Sequence, residues 1–555
     1  MKQSKASGHL PGIFDVTTNI QKNHLYYGDN LTIMRSMPNA CVDLIYLDPP
    51  FNSQRNYNLI YKQLTGQPVP EQEEAFCDAW DMDPEKEDMA RRMPIVLREY
   101  GADEDLVIFW KAWIDALRHT QPRLLAYLVY MSYRLFEMRR LLKPAGSIYL
   151  HCDPTASHYI KVILDGVFGH KNFRNEIIWE RTASKGDVRR KFGANHDVLL
   201  VYGKTDNTYF KNVHSTPYEA YLERFRLDDH DGRGAYRLAP LDSPHPRPNL
   251  TYEYKGFHPP DNGWRVSLEI MKQLDTEGRL AFPKSPQGRI ARKHYLEEQA
   301  GPKVGDVWTD IAPLQASDKE KLGYPTQKPI KLLRRIIEAS SKEGDVIFDP
   351  FAGCGTAIYA AHELNRKWIG CDVAILSVKL VRDVLLKWHG LKEDEHYEIS
   401  GVPKSVEAAQ DLFERDPRQF QHWSVELAGG FPSTKHSDDK GVDGRIYFET
   451  KDGLRNMVLS VKGGQHLTPA FMREVVGTMT QQQDCEMAGF ISLQQPTKGM
   501  TDVVAKAGYY MYQGKKYERV QIRTAQDLLD GKSFETPSKV ETLEWTKNTT
   551  MPLPI

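Results

Sequence analysis

The chain has 555 residues, 40% hydrophobic and 10% aromatic, with a formal net charge of −1. It is long for a single core, pointing to roughly two to four domains, and rich enough in apolar side chains to exclude a wholly disordered chain. With no global excess of positive charge, any nucleic-acid surface has to be a local patch.

Residues 1–24 read as a polar, flexible leader. A short strand and turn follow at Leu25 to Asn30, then a helix over 31–37, with Asp29 at the strand end as a helix N-cap or a contact to a cofactor. The run at 42–47 is β-branched, aromatic and aliphatic, and it stops at Asp48-Pro49-Pro50, where neither proline has an N–H for a ladder. An acidic, weakly periodic insertion spans about 67–105. A long helix comes next, because Leu124, Leu128, Met131, Leu135, Met138 and Leu142 recur at spacings of four and three until Pro144 and Gly146. Strands over 147–151, ending in His151-Cys152-Asp153-Pro154, and over 175–179 complete an alternation that predicts a mostly parallel sheet with helices on both faces. The six cysteines, Cys41, Cys77, Cys152, Cys354, Cys371 and Cys485, form no CxxC pair, which argues against zinc or a disulfide framework and fits a reducing cytosol. No signal peptide or apolar run of spanning length occurs, so a cytoplasmic protein with no membrane partner is expected.

From 181 to 322 the texture changes. Arg181, Lys185, Arg189, Arg190 and Lys191 give way to a stretch with Pro259-Pro260, Trp264 and Trp308. It reads as a groove-reading insert, with clustered cations for phosphates and aromatics and amides for base edges; its alternative is a solvated charged face. Then Tyr324-Pro325-Thr326-Gln327-Lys328-Pro329 leads into an amphipathic helix through Leu332, Leu333, Ile336 and Ile337. A strand over 345–349, the turn Pro350-Phe351-Ala352-Gly353-Cys354-Gly355-Thr356, a helix through Leu364 and a strand over 367–370 ending at Asp372 follow.

Two stretches carry chemistry. Asp48 at the end of a buried strand lies where open α/β sheets bind ligands, and the prolines fix its carboxylate, the Pro49 carbonyl and the Phe51 ring in one corner. The oxygens can accept both hydrogens of an exocyclic amine while the ring stacks on the base. Gly353 and Gly355 let backbone approach a ligand ahead of a helix N-terminus, and Asp372 at the next strand end is placed to bond two ribose hydroxyls. The turn lacks the third glycine of the dinucleotide fingerprint and the Lys-Ser/Thr ending of a phosphate loop, so S-adenosylmethionine fits better than a nicotinamide dinucleotide.

Gly28-Asp29-Asn30, Asp48-Pro49-Pro50-Phe51, Tyr324 to Pro329, Asp349 to Thr356 and Asp372 together resemble the amino-methylating DNA methyltransferases of the β motif order, and among them the modification subunits of type III restriction systems and their solitary relatives. The resemblance covers about 25–390, apart from the acidic insertion and the recognition segment. It implies a Rossmann-like α/β methyltransferase sheet divided into a catalytic part (25–180), an inserted target-recognition region (181–322) and a cofactor-binding part (323–395). In it Asp48 with Pro49 and Pro50 would hold the target amine and Phe51 would stack on the flipped base. Asp29, Thr326, Lys328, Asp349, Phe351, Gly353, Gly355 and Asp372 would surround S-adenosylmethionine. Asp rather than Ser before the prolines leans toward adenine N6, with cytosine N4 left open. Double-stranded DNA is the expected partner; with no helicase-type P-loop in the chain, a translocase or restriction subunit would be a separate one, and a homodimer stays open.

Residues 396–540, before a tail at 541–555, resemble a smaller α/β restriction-endonuclease-like domain of the Mrr type. Glu426 and Asp443 would then hold Mg²⁺ and Lys462 would assist the attacking water. The pattern's acidic residue or glutamine two before the lysine is Ser460 here. Three functions stand: a site-specific DNA amino-methyltransferase in restriction-modification or phage defence, a bifunctional protein that also cleaves DNA, and a catalytically silent DNA-binding module.

Overall fold

The computed structural model describes residues 22–50, 82–154, 156–182, 192–285, 287–315, 317–322, 324, 326–386, 390–433, 441–451, 453–482 and 484–539. Residues 1–21, the tail, Cys77, residues 67–81 of the acidic stretch and the basic residues Lys185 to Lys191 lie outside them; Asn23 and His24, expected in the leader, instead open the first strand, where His24 is buried. Two compact units result, Met1–Lys211 with Asp306–Ile555, and Asn212–Gly305.

In chain order the first unit begins with β1 (Asn23–Tyr27), β2 (Val42–Leu47), β3 (Leu142–Cys152), β4 (Phe173–Glu180) and β5 (His196–Gly203). The insert contributes β6 (Tyr236–Pro240), β7 (Leu280–Ala281) and β8 (Ala291–Tyr295). The first unit then resumes with β9 (Val307–Trp308), β10 (Val346–Asp349), β11 (Lys367–Asp372) and β12 (Tyr397–Ser400). Its sheet runs β12-β1-β11-β10-β2-β3-β5-β4-β9. All pairs from β12 to β3 are parallel, whereas β5 is antiparallel to both β3 and β4, so the sheet is mixed.

Alternation along β3 shows both faces covered. Ile148 and Leu150 enter the core beneath the Pro122–Leu141 helix, while the Tyr149 hydroxyl lies 2.7 Å from Ser340 at the end of the Ile330–Ser340 helix. The stripe from Leu124 to Met138 is core, as its spacing predicts, although the helix ends at Leu141 and Leu142 already opens β3. Part of the acidic stretch is also core-facing helix, since Pro84–Glu99 buries Met93 and Leu97, and a second helix that starts at its end, Glu104–Thr120, buries Trp110 and Ile114. Its acids weaken the apolar pattern because they gather at helix starts, where Asp83 and Asp103 are N-caps. No helix among the described residues is long and apolar enough to cross a membrane.

The C-terminal segment of the same unit carries helices Val406–Arg415 and Pro417–Leu427, then β13 (Phe431–Pro432), β14 (Gly444–Thr450), β15 (Gly453–Lys462) and β16 (Cys485–Ser492). It ends with a hairpin of β17 (Tyr509–Tyr512) and β18 (Lys515–Glu518), then β19 (Val520–Thr524) and β20 (Ser538–Lys539). Its sheet is ordered β13-β14-β15-β16-β19, with β15, β16 and β19 parallel to one another.

The second unit is narrower than the 181–322 segment, because β5 and β9 belong to the main sheet. It has a small β6-β8-β7 sheet and its own core of Leu241, Tyr254, Trp264, Met271, Leu274, Leu280 and Ile290. Trp264 is fully buried and its indole N–H donates to the Tyr252 carbonyl at 2.8 Å. Trp264→Ala is expected to cost about 3–5 kcal/mol, exposing the insert to protease while the main unit stays resistant in the same digest.

Candidate active site

Neighbouring strands β10, β2 and β3 each end in Asp-Pro: Asp349-Pro350, Asp48-Pro49 and Asp153-Pro154. The proline stops each ladder, so the acids gather along one carboxyl edge of a parallel sheet.

Asp48 follows β2, and its Oδ2 accepts from Lys328 Nζ at 2.5 Å. Both side chains are largely buried, at 15% and 11% exposure, so the pair is far less screened than a surface salt bridge. Lys328 comes from the segment before the Ile330–Ser340 helix, which Gln327 pins by accepting from the Leu322 amide (2.7 Å) and donating to the Glu320 carbonyl (2.6 Å). Pro49 is buried and Pro50 exposed. Phe51 lies outside the described residues. Thr326, two residues before Lys328, is partly buried.

One strand away, β10 ends at Asp349, whose carboxylate accepts from the Phe351 amide at 3.0 Å. Burial pushes its carboxyl well above the usual carboxylate range, and the negative charges of Asp48 and Asp372 push it further. The turn then passes Gly353 and Gly355, both left-handed with φ of 52° and 81°. A Cβ on Gly353 would come 3.3 Å from the Tyr324 ring. Asp372, at the end of β11, accepts from the Gly353 amide (2.8 Å) and the Ala374 amide (2.9 Å). Burial raises its carboxyl to about 6, against the lowering effect of those two amides.

Asp29 is the N-cap of the Asn30–Ser36 helix, accepting from the Thr32 amide at 3.0 Å, and it also pairs with the Arg134 guanidinium. Arg134 donates in addition to Asn30 Oδ1 (2.6 Å) and lies over the Tyr130 ring, while Asn30 donates to the Pro350 carbonyl (2.8 Å). The Gly28-Asp29-Asn30 turn is thereby tied to the glycine turn. Arg134 is 5% exposed but its partner Asp29 is 33% exposed, so Arg134→Met is expected to destabilise the fold by about 1–2 kcal/mol, chiefly through the buried Asn30 acceptor it leaves unpaired, read as a lowered urea midpoint.

Sequence reasoning missed the layer beneath Asp48. His151, fully buried at the end of β3, lies 3.1 Å from the Tyr46 hydroxyl and 3.2 Å from Asp197 Oδ2. Asp197, on β5, also pairs with Arg181 at 2.7 Å. Burial acts to raise the Asp197 carboxyl, but hydrogen bonding and charge from His151, with Lys328 and Arg181, prevail and lower it. The signal for this layer is present in His151-Cys152-Asp153-Pro154, which repeats the apolar strand and Asp-Pro stop of the other two edges.

The acids named for the C-terminal segment part company. Asp443 accepts from the Val461 amide at 2.7 Å, and the Lys462 charge acts on it against a burial-driven rise. Glu426 Oε2 instead accepts from the Ile375 amide at 3.2 Å, beside Asp372, and burial raises its carboxyl to about 8. No group of three or more His, Cys, Asp or Glu that could hold a metal occurs among the described residues.

A mixed α/β sheet with an acid corner, a glycine turn and a further acid along one carboxyl edge is of the class whose ligands bind outside the strand ends. The family model described as DNA methylase matches residues 42–381, and the chain belongs to that N6/N4 DNA methylase family. It is similar to the type II methyltransferase M.EcaI of Enterobacter cloacae, 32% identical over 46% of this chain and 56% of the relative. It also resembles the StyLTI Mod subunit of a type III restriction-modification enzyme of Salmonella typhimurium, 25% identical over 61% of this chain and 50% of the relative. The chain thus spans about half the length of these two relatives. The DNA adenine methyltransferase YhdJ of Escherichia coli is 24% identical over 64% of this chain and 80% of its own. Among solved structures, the cytosine-N4-specific PvuII DNA methyltransferase aligns over 72% of this chain and 94% of its own at 11% identity and a TM-score of 0.32.

Proposed function

We propose that the chain transfers the methyl group of S-adenosylmethionine to an exocyclic amino group in double-stranded DNA, and that the amine is adenine N6. The observation that carries this reading is the Asp48 carboxylate, fixed by Lys328 at the end of β2 and one strand from the glycine turn. Family membership and a named adenine-methylating relative support it.

The residues fit the cofactor. Gly353 leaves free the space beside Tyr324 that a Cβ would enter. Asp372 would take the ribose hydroxyls, Asp29 would lie near the adenosine end, and Phe351, Gly355 and Thr326 would line the remainder. Bound there, S-adenosylmethionine supplies an electrophilic methyl carbon on a sulfonium. Asp48 and the Pro49 carbonyl accept the two N–H groups of the amine and draw it from planar toward pyramidal geometry. That aims the nitrogen lone pair at the methyl carbon and favours the transition state over the conjugated ground state; as the N–C bond forms the S–C bond breaks, the thioether leaves neutral, and the methylated nitrogen loses one proton to the hydrogen-bonded Asp48 carboxylate and on to solvent. The target base must leave the duplex, at a cost of a few kcal/mol, with Phe51 proposed to stack on it and the 212–305 insert to read its surroundings. No metal is required for this transfer.

The test incubates the protein with labelled S-adenosylmethionine and mixed-sequence duplex DNA, with and without Mg²⁺, beside Asp48→Ala. N6-methyladenine formed by the wild type and lost in the variant is expected; N4-methylcytosine would reassign the base, and transfer by both proteins would overturn the role of Asp48. A second reading, supported by Asp443 beside Lys462, is that the C-terminal segment is an Mrr-like nuclease using Mg²⁺. DNA shortened only with Mg²⁺, and no longer by Lys462→Ala, is its expected result.

A further inference from the structure

The turn after Asp372 is held by a helix from the C-terminal segment. Within four residues, the Ala374 amide is taken by Asp372 itself, the Ile375 amide by Glu426 (3.2 Å) and the Val373 carbonyl by the Gln419 amide nitrogen (3.0 Å). Gln419 and Glu426 are two turns apart on the Pro417–Leu427 helix, hence on one face of it. Gln419 is buried, and its backbone amide donates to the capping Asp416 carboxylate at 2.9 Å, so the helix start is fixed as well. Beside these contacts, Trp423 and Leu427 line a cavity of about 80 Å³ together with Ile375 and Val378, and Lys379, Arg382, Glu393 and Lys404 border it as well. Asp372 reaches in the other direction to the Gly353 amide, so one turn joins this helix to the glycine turn.

We propose that Gln419 and Glu426 are positioning residues for the cofactor site, fixing the Val373–Ile375 turn so that Asp372 presents its carboxylate, and that cofactor binding and the C-terminal segment are thereby coupled. The inference rests on the reading of Asp372 as the ribose-binding residue. Removing either side chain frees a backbone group of the turn and lets Asp372 swing; the reaction corner at Asp48 lies on a different strand and is not touched. By linkage, a cofactor that orders the turn also steadies the helix, and the coupling is reciprocal.

The experiment measures S-adenosylmethionine affinity by calorimetry and methyl transfer kinetics on the full chain for Glu426→Leu, Gln419→Leu and Glu426→Gln. The two leucine variants are expected to weaken cofactor binding about five- to tenfold, the loss of one hydrogen bond to a buried partner, raising KM for the cofactor with kcat little changed. Glu426→Gln keeps an acceptor oxygen and is expected to bind as the wild type does. Hydrogen exchange on the wild type supplies a readout independent of variant folding: added S-adenosylmethionine is expected to slow exchange in the Pro417–Leu427 helix and at Ile375. Unaltered affinity in folded leucine variants, a fall in kcat alone, or exchange in that helix indifferent to cofactor would each overturn the proposal. A wild type that binds no S-adenosylmethionine would overturn the cofactor-site reading itself and this inference with it.

Discussion

Asp48→Asn is expected to slow single-turnover methyl transfer by about 10²- to 10³-fold, with cofactor affinity changed far less. Asparagine keeps the size of the side chain but turns one acceptor oxygen into a donor and removes the charge. The amine then meets an N–H where it needs an acceptor, and Lys328, at 11% exposure, loses a close counter-charge. The proposed work of Asp48 arises as the nitrogen pyramidalises, so the loss should fall on the rate of the chemical step and leave the cofactor's dissociation constant to Asp372 and the glycine turn. Rapid-quench assays beside calorimetry separate the two. Equal losses in rate and cofactor affinity would show that Asp48 holds the cofactor, and an unaltered rate would remove it from the mechanism.

The second large effect is at Asp372. Asp372→Ala should weaken S-adenosylmethionine binding about 10²-fold, the loss of the two charge-assisted hydrogen bonds proposed to ribose. The carboxyl sits at about 6 because burial favours its neutral form. The ribose hydroxyls proposed to bind here would donate to the ionised form, so affinity should be flat above that pH and fall by about tenfold per unit below it. Folding stability has the opposite dependence. A carboxyl raised in the folded state holds protons that the unfolded chain releases, so its contribution declines as pH rises from the ordinary aspartate range to about 6. A bound cation should lower that value again, so binding near pH 6 should release protons, detectable as a binding enthalpy that varies with buffer. Asp372→Asn should abolish the pH dependence; its persistence would place the titrating group elsewhere.

Much of the site was legible because it lies where strands stop. The strand β2 ends where the Asp48-Pro49-Pro50 signal places it, and the glycine turn between β10 and β11 falls at the residues its spacing indicates. What could not be read depends on strand direction and on distant partners. The short apolar run of β5 gives no sign that it runs antiparallel to β3, and it lies in a stretch whose composition points to an insert. That placement brings Asp197 to His151, 46 residues away. Glu426 shows the same limit: it fits a nuclease pattern along the chain, yet its carboxylate is spent on an amide 51 residues earlier.

The neck of the insert has a practical consequence. Its two ends close on each other, the Ser215 amide donating to the Pro302 carbonyl at 3.0 Å and the Val304 amide to the Val213 carbonyl at 3.1 Å, with His214 and Lys303 bridged between them. A segment that enters and leaves through one closed doorway, with a core of its own, can be exchanged as a cassette with little demand on the sheet that carries it. If the insert reads DNA as proposed, exchanging it would change the recognition sequence in a single recombination event, and the same junctions offer an engineer two places to cut.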